Sequence, residues 1–260
     1  MRTKKTWKRL LLALICILMF SIPVSASAKT VAKIGSKKYS SLEAAIKKVK
    51  NGQTIKLQCN VTLKKHLVLN RNVKYTINLN KKKITMKNCT GIELNKGKVT
   101  LYNGTISTSV GVYVREKAAL TVKKGTFKFT FMNYGTMTVS GGTVKYILNA
   151  GTLTAKSGKI THGIMCYSKS RLYVKGGTVT QDSGDFGSGA ITALEGYKVL
   201  SVTGGKVKGT TADWPAIMII GPKTSTSKIK EKYVTAKSGM KIGFAYEIDN
   251  NDGYLEYGFY

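Results

Sequence analysis

The chain is short of negative charge. Its 260 residues hold 12 Asp and Glu against 43 Lys and Arg, a formal net charge of +31 at pH 7. So few carboxylates argue against chemistry built on clustered acids, including polysaccharide hydrolysis by paired carboxyl groups. The two histidines, His66 and His162, stand far apart with no cysteine at metal-ligand spacing, so no metal site and no cofactor is expected. Of the four cysteines, Cys59, Cys89 and Cys166 lie beyond the first 28 residues. An odd number excludes a fully paired disulfide framework within one chain, and leaves open one Cys59–Cys89 bridge or buried free thiols. Long apolar runs are absent apart from one, residues 10–20.

That run reads as part of an export signal. Arg2, Lys4, Lys5, Lys8 and Arg9 precede it, and Pro23 and Ala26-Ser27-Ala28 follow it. This is the order of a secretory signal peptide spanning 1–28, with cleavage expected after Ala28. Eleven apolar residues are too few for a permanent span. Ile15 ahead of Cys16 is not small and the run continues past the cysteine, which disfavours a lipoprotein. The expectation is a secreted or cell-envelope-associated protein with no integral membrane segment after cleavage. Losing the five basic residues of the signal takes the charge from +31 to +26. Such a field favours polyanions such as wall polymers, acidic polysaccharides or phospholipid surfaces, whereas export argues against nucleic acid as a natural partner. Lysines solvating the outer faces of a repetitive sheet, and discouraging edge pairing, are the alternative use of the same charge.

What the chain does have is a repeat. The segments 98–106, 119–127, 136–144, 152–160, 171–179 and 199–207 share a pattern of apolar alternation, a glycine turn and a returning apolar residue, with a looser copy from Tyr233. The marker glycines are Gly104, Gly125, Gly142, Gly158, Gly177, Gly205 and Gly239, spaced 21, 17, 16, 19, 28 and 34 residues apart. Within a copy the period is two: Leu120 and Val122 face one way and Thr121 the other, as do Met137 and Val139 or Leu172 and Val174. Stacked copies would therefore build internal columns of Leu/Met, Val/Ala and Val/Ile, each strand covered only by its neighbours.

A second column is expected nine residues before each marker, at Asn95, Glu116, Asn133, Asn149 and Ser168, where Asn side chains bond from coil to coil. The strands preceding it read as 91–94, 111–114, 145–148 and 163–166. At the start, Val31 to Ile34 reads as a strand and Ser40-Ser41-Leu42-Glu43 as a capping box. A helix with Leu42, Ala45, Ile46 and Val49 on one face follows, stopped by Asn51-Gly52, and would cover the open end of a stack. The expected organisation is a cap over 29–53, a stack over 54–243 and a C-terminal cap or hairpin over 244–260.

On these residues the chain resembles the secreted right-handed parallel β-helix proteins of Gram-positive bacteria, within the pectate-lyase-like superfamily. The cap followed by a first strand and Val61-Thr62-Leu63, and the repeated Thr-Val-x-Gly-Gly-Thr-like segments, carry the resemblance over roughly residues 30–240. It implies an all-β, right-handed parallel β-helix with a short amphipathic capping helix. It does not imply one activity, since the fold hosts lyases, hydrolases and non-catalytic surface proteins. No Asp-Asp pair, Asn-Thr-Asp or Gly-His-Gly is present, and beyond the signal the arginines are only Arg71, Arg115 and Arg171.

One candidate corner remains. The repeats lengthen late, and the added residues 181–188 and 210–215 enter at the same place, after the strand that follows the glycine turn. This would gather Asp182, Asp185 and Asp213 as weak catalytic candidates, with Phe186 and Trp214 as ligand-binding aromatics. Turn chemistry and a Trp packed onto the coil explain the same residues without a site. The stretch 247–253 looks faintly like a calcium loop, but its glycine and twelfth position do not fit, and a hairpin turn at Asn251-Asp252-Gly253 accounts for it better. Lysines form a further pattern. Lys123, Lys156, Lys175 and Lys237 sit two residues before a marker, and Lys128, Lys145 and Lys208 three after one. Coils lie less than about 5 Å apart, so such columns are like-charge ladders that an anionic polymer would screen. The reading is a non-catalytic protein binding anionic or carbohydrate polymers. A carbohydrate-active enzyme (polysaccharide lyase or glycoside hydrolase) at the late corner, or a structural repeat spacer, are the alternatives.

Overall fold

The computed structural model describes residues 29–87, 91–181, 189–210, 212, 214–221, 227–237, 239–249 and 255–259. Among these the protein is all-β apart from one short α-helix and a single 3-10 turn, and most strand pairs are parallel. The chain lays strands into three rows, visiting them in the same order on each pass. The first row starts with Thr54–Leu57 and Lys74–Asn78, continues through the leading parts of the long strands Gly97–Ser107 to Val199–Gly209, and ends at Ser227–Ile229. The second runs from Val61–Leu63 and Lys83–Met86 through the later parts of the same long strands to Val234–Ala236. The third runs from Leu67–Leu69, Ile92–Leu94 and Val112–Val114 through Ile164–Cys166 and Ile191–Ala193 to Ile217–Ile220 and Ile242–Asp249. The result is a long stack of parallel strands.

Period-two alternation builds the interior. Leu120, Met137, Leu153, Leu172 and Leu200 are in direct register, as are Val122, Val139, Ala155, Val174 and Val202, and then Phe127, Val144, Ile160, Val179 and Val207. All are buried, and with inward residues of the third row such as Phe131, Ile147 and Ile164 they form one continuous core. Each such Leu or Val contributes about 1.5–3 kcal/mol by leaving water. Phe127, Phe129 and Phe131 fill the middle of the stack, with ring centroids 4.7–6.3 Å apart.

The glycine turns are a close approach as well as a bend. Gly158 has φ +89, and a Cβ there would lie 2.6 Å from the Gly142 carbonyl oxygen one coil away; Gly205 stands in the same relation to Gly177. Only glycine meets both conditions. Gly239 does not belong to this column. A Cβ there would meet nothing within 4 Å, and the register pairs Val234 with Val207, while Ser227–Ile229 takes the place opposite Leu200–Val202. The last copy thus resembles the others in sequence but enters the stack in a different row.

At the N-terminal end, Ala32–Ile34 pairs antiparallel with Lys37–Tyr39 and with Thr54–Leu57. The helix Leu42–Lys48 buries Leu42, Ala45 and Ile46 beside these strands. Its N-cap is Ser41, whose Oγ accepts from the Ala44 N–H at 3.0 Å, so Glu43 lies in the first turn and does not close a capping box with Ser40. At the other end Ile242–Asp249 pairs antiparallel with Leu255–Phe259 as a hairpin. The intervening turn lies outside the described residues.

The asparagine column is shorter than the spacing implies. Asn133 and Asn149 are opposite each other and fully buried, and the Asn133 Nδ2 donates to Asn149 Oδ1 at 2.7 Å. The positions in line with them are Leu94 and Val114 on one side and Cys166 on the other. Asn95, Glu116 and Ser168 fall one or two residues beyond. The reason is that turn lengths between this column and the glycine differ from coil to coil, so counting back from the glycine drifts.

Candidate functional site

The lysine pattern resolves into pieces. Lys123, Lys156 and Lys175 are exposed and follow directly on the aligned inward residues Val122, Ala155 and Val174. Ser140 takes this position in the coil between Lys123 and Lys156, with its Oγ donating to the Val122 carbonyl at 3.2 Å. Lys156 and Lys175 are therefore the adjacent pair. Lys175 Nζ lies 5.8 Å from the Tyr173 ring centroid. Lys237 is exposed but stands apart, at the end of the second row, with its N–H on the Gly209 carbonyl. The shift of the last copy described above removes it from the column.

A denser cation row was missed by repeat counting because two of its three lysines lie in the cap and the third in the first strand of the stack, ahead of the repeat. Lys38, Lys33 and Lys56 occupy directly opposed positions on three neighbouring strands, while their flanking residues Ala32, Ile34 and Leu57 are buried. Lys74 and Lys98 are likewise opposed in the first row. They border a groove of about 550 Å³ that also takes in Asn51, Asn72 and Lys117. Like charges directly across a strand pair destabilise the sheet. Among the described residues none of these lysines is in an ion pair; the pair that is formed joins Arg115 to Glu93.

At the late corner, Asp182, Asp185, Phe186 and Asp213 lie outside the described residues. The bases of the two insertions do meet: the Thr210 hydroxyl donates to the Gln181 carbonyl. Gln181 is buried and bridges to His162 of the preceding coil. Trp214 is half-buried and packs, with Leu194, against Met218, Ile220 and Ala245. Its indole covers the outer side of the third row.

That outer side is the feature which sequence reading passed over. Where the first row shows solvent a run of Thr (Thr76, Thr100, Thr121, Thr138, Thr154, aligned in register), the third row shows Tyr113, Met132, Leu148 and Met165, also in register. Two residues further along each coil stand Arg115, Tyr134, Ala150 and Tyr167, whose N–H groups all bond to the preceding coil. Tyr134 and Tyr167 are 44% and 38% exposed. Between them, over Met132, Leu148 and Ala150, opens a cleft of about 300 Å³. The Arg115 guanidinium lies 5.2 Å from the Tyr113 ring centroid and 5.9 Å from that of Tyr134. Its Nε and Nη2 both donate to Glu93 Oε1, at 2.8 and 2.5 Å.

Behind this surface the interior is polar for a short distance. Asn149 Nδ2 donates to the Arg171 carbonyl at 3.1 Å, and next in line is Cys166. Burial pushes the Cys166 thiol up to about 12, while Asn149 and Ser170 beside it pull the other way. This is a protonated structural thiol, not a nucleophile. Cys59 is also a free thiol and partly exposed, and Cys89 lies outside the described residues. Among the described residues no cluster of His, Cys, Asp and Glu is arranged to hold a metal ion, and no helix is long and apolar enough to cross a membrane. Comparison with protein-family models, with curated proteins and with solved structures finds no match to this chain.

Proposed function

We propose that this protein is an exported right-handed parallel β-helix of the pectate-lyase-like kind which binds an anionic polymer at the cell envelope or a host surface without catalysing a reaction. The observation that supports it best is the Lys38–Lys33–Lys56 row. Three cations opposed across paired strands cost stability in isolation and gain it when a polyanion lies over them. The stacked Lys74–Lys98 and the adjacent Lys156 and Lys175 extend the same pattern along the stack. Polymer binding should therefore weaken steeply with salt as bound counterions compete. Co-sedimentation of the full chain with purified anionic wall polymer across a salt series tests this. Binding at low salt should drop several-fold in a Lys33→Gln/Lys38→Gln/Lys56→Gln variant; wild type that fails to bind even at low salt removes the proposal.

A carbohydrate-active enzyme is the second reading, favoured by the hydrogen bond that joins Gln181 to Thr210 at the roots of the two acidic insertions. Product release from acidic polysaccharides by wild type, lost in an Asp182/Asp185/Asp213 triple alanine variant, would replace binding by catalysis.

A further inference from the structure

The outer face of the third row is apolar where a solvated sheet is expected to be polar, and it is organised around one notch. Tyr134, Ala150 and Tyr167 are equivalent residues of three successive coils, their N–H groups bonding in turn to the carbonyls of Val114, Asn133 and Asn149. Two coil spacings separate the tyrosines, about 10 Å, and the methyl group of Ala150 leaves the space between them open. Subtracting the half-thickness of two rings leaves room for one saturated six-membered ring. The cleft volume of about 300 Å³, floored by Met132 and Leu148, sits at the small end of ligand sites.

We infer that this notch is a glycan subsite, in which one sugar ring of an acidic polysaccharide is held between Tyr134 and Tyr167 and the anionic group of the next sugar along the stack reaches Arg115 beyond Tyr134. The apolar floor and tyrosine faces suit the C–H faces of a pyranose, and the tyrosine hydroxyls can meet its oxygens. Arg115 already lies over Tyr113 and Tyr134 and is steadied by Glu93, so a planar cation is fixed one coil before Tyr134, on the other side of that residue from the cleft. Charge selects among occupants. A quaternary-ammonium guest would sit against Tyr134 with the Arg115 guanidinium on that residue's other side, cation beside cation. A second copy of the cleaved chain would bring a second charge of +26, the +31 of the whole sequence less the five basic residues of the signal. An acidic glycan answers both the rings and the field. It also explains why the apolar strip is left open here and closed by Trp214 further along.

The inference deepens the polymer-binding reading and rests on it for the choice of an anionic glycan. Isothermal titration at low salt separates the two, using the full chain with a hyaluronan tetrasaccharide, with cellotetraose and with inorganic polyphosphate. The tetrasaccharide should bind, and Tyr134→Ala or Tyr167→Ala should each weaken it about tenfold. Ala150→Phe, which fills the notch yet adds apolar surface, should abolish sugar binding, while Tyr134→Phe should preserve it. Arg115→Gln should weaken the charged tetrasaccharide and leave cellotetraose unchanged. Polyphosphate affinity should be the same in all these variants, which also reports that they are folded. Sugar binding that survives Ala150→Phe, or wild type that binds neither sugar, overturns the subsite whatever polyphosphate does. Polyphosphate that fails to bind overturns the lysine-row reading, and sugar binding lost in Ala150→Phe would then still support the notch.

Discussion

The first and third rows of strands are inverted relative to each other. In the first row the inside is wholly apolar, Leu120 through Leu200, and the outside is a file of threonines with flanking lysines. In the third row the inside carries Asn133, Asn149 and Cys166 in line, and the outside carries Tyr113, Met132, Leu148 and Met165. Both rows belong to the same stack and share one core. The fold therefore demands apolar side chains only in part of its interior and leaves outward positions free. Apolar residues outside, where the core does not need them, are what the proposed glycan subsite would use.

The comparison breaks most sharply at neighbouring residues. Leu153→Asp, buried in the first row, should cost more than about 4 kcal/mol, because a carboxyl group replaces a close-packed side chain. Thr154→Asp, next to it but outward, should change stability by no more than about 0.5 kcal/mol. Leu148→Asp, outward in the third row, should behave nearly as mildly as Thr154→Asp, although it exchanges the same residue types as Leu153→Asp. Urea unfolding of the three variants checks this. A collapse of Leu148→Asp would make the outer apolar strip part of the core.

The polar interior of the third row gives the next effect. Asn149→Val removes the acceptor of Asn133 Nδ2 and the donor to the Arg171 carbonyl, and should cost about 2 kcal/mol. Adding Asn133→Val should bring the total below the sum of the singles, since the bond between the two amides is lost only once, while the Asn133 Nδ2 bond to the Thr152 carbonyl is lost with the second change. A double-mutant cycle by chemical unfolding measures the coupling; strict additivity would mean the two amides do not act as a pair.

The smallest effect is in alkali. The Cys166 thiol keeps its proton in the folded chain up to about pH 12, whereas an ordinary thiol ionises near 9. The native state then holds a proton that the unfolded state releases. Stability contributed by the neutral thiol is complete below pH 9 and declines above it by about 1.4 kcal/mol per pH unit. Burial also pushes the Tyr75 and Tyr146 phenols up, which adds a decline in the same direction above pH 10. Between pH 9 and 10 the slope of wild type should therefore exceed that of Cys166→Ala. Equal slopes would place the thiol in contact with water.

Much of the interior was legible in the residues. Leu120, Val122 and Phe127 and their counterparts line up in register as the alternation and the glycine turns imply, because one polar and one apolar face give a clear period of two. The third row hid its outer surface for the same reason. Phe131-Met132-Asn133, Tyr146-Ile147-Leu148 and Ile164-Met165-Cys166 carry apolar side chains on both faces, so alternation cannot separate inside from outside. Lys237 and Gly239 were placed by similarity of their segment to earlier copies, and strand pairing put that segment in another row.

Local backbone chemistry is enough to specify short strands, tight glycine turns and the side of each strand that seeks cover, since these depend on residues a few positions apart. Which columns come to lie together, Lys38 against Lys33 and Lys56, or Tyr134 and Tyr167 across Ala150, depends on how many residues each turn consumes between rows. The notch is aligned by pairing between coils 16 and 17 residues apart, and Lys56 joins the local Lys33–Lys38 pair from 23 residues away, so only the folded chain discloses the full cation row and the aromatic notch.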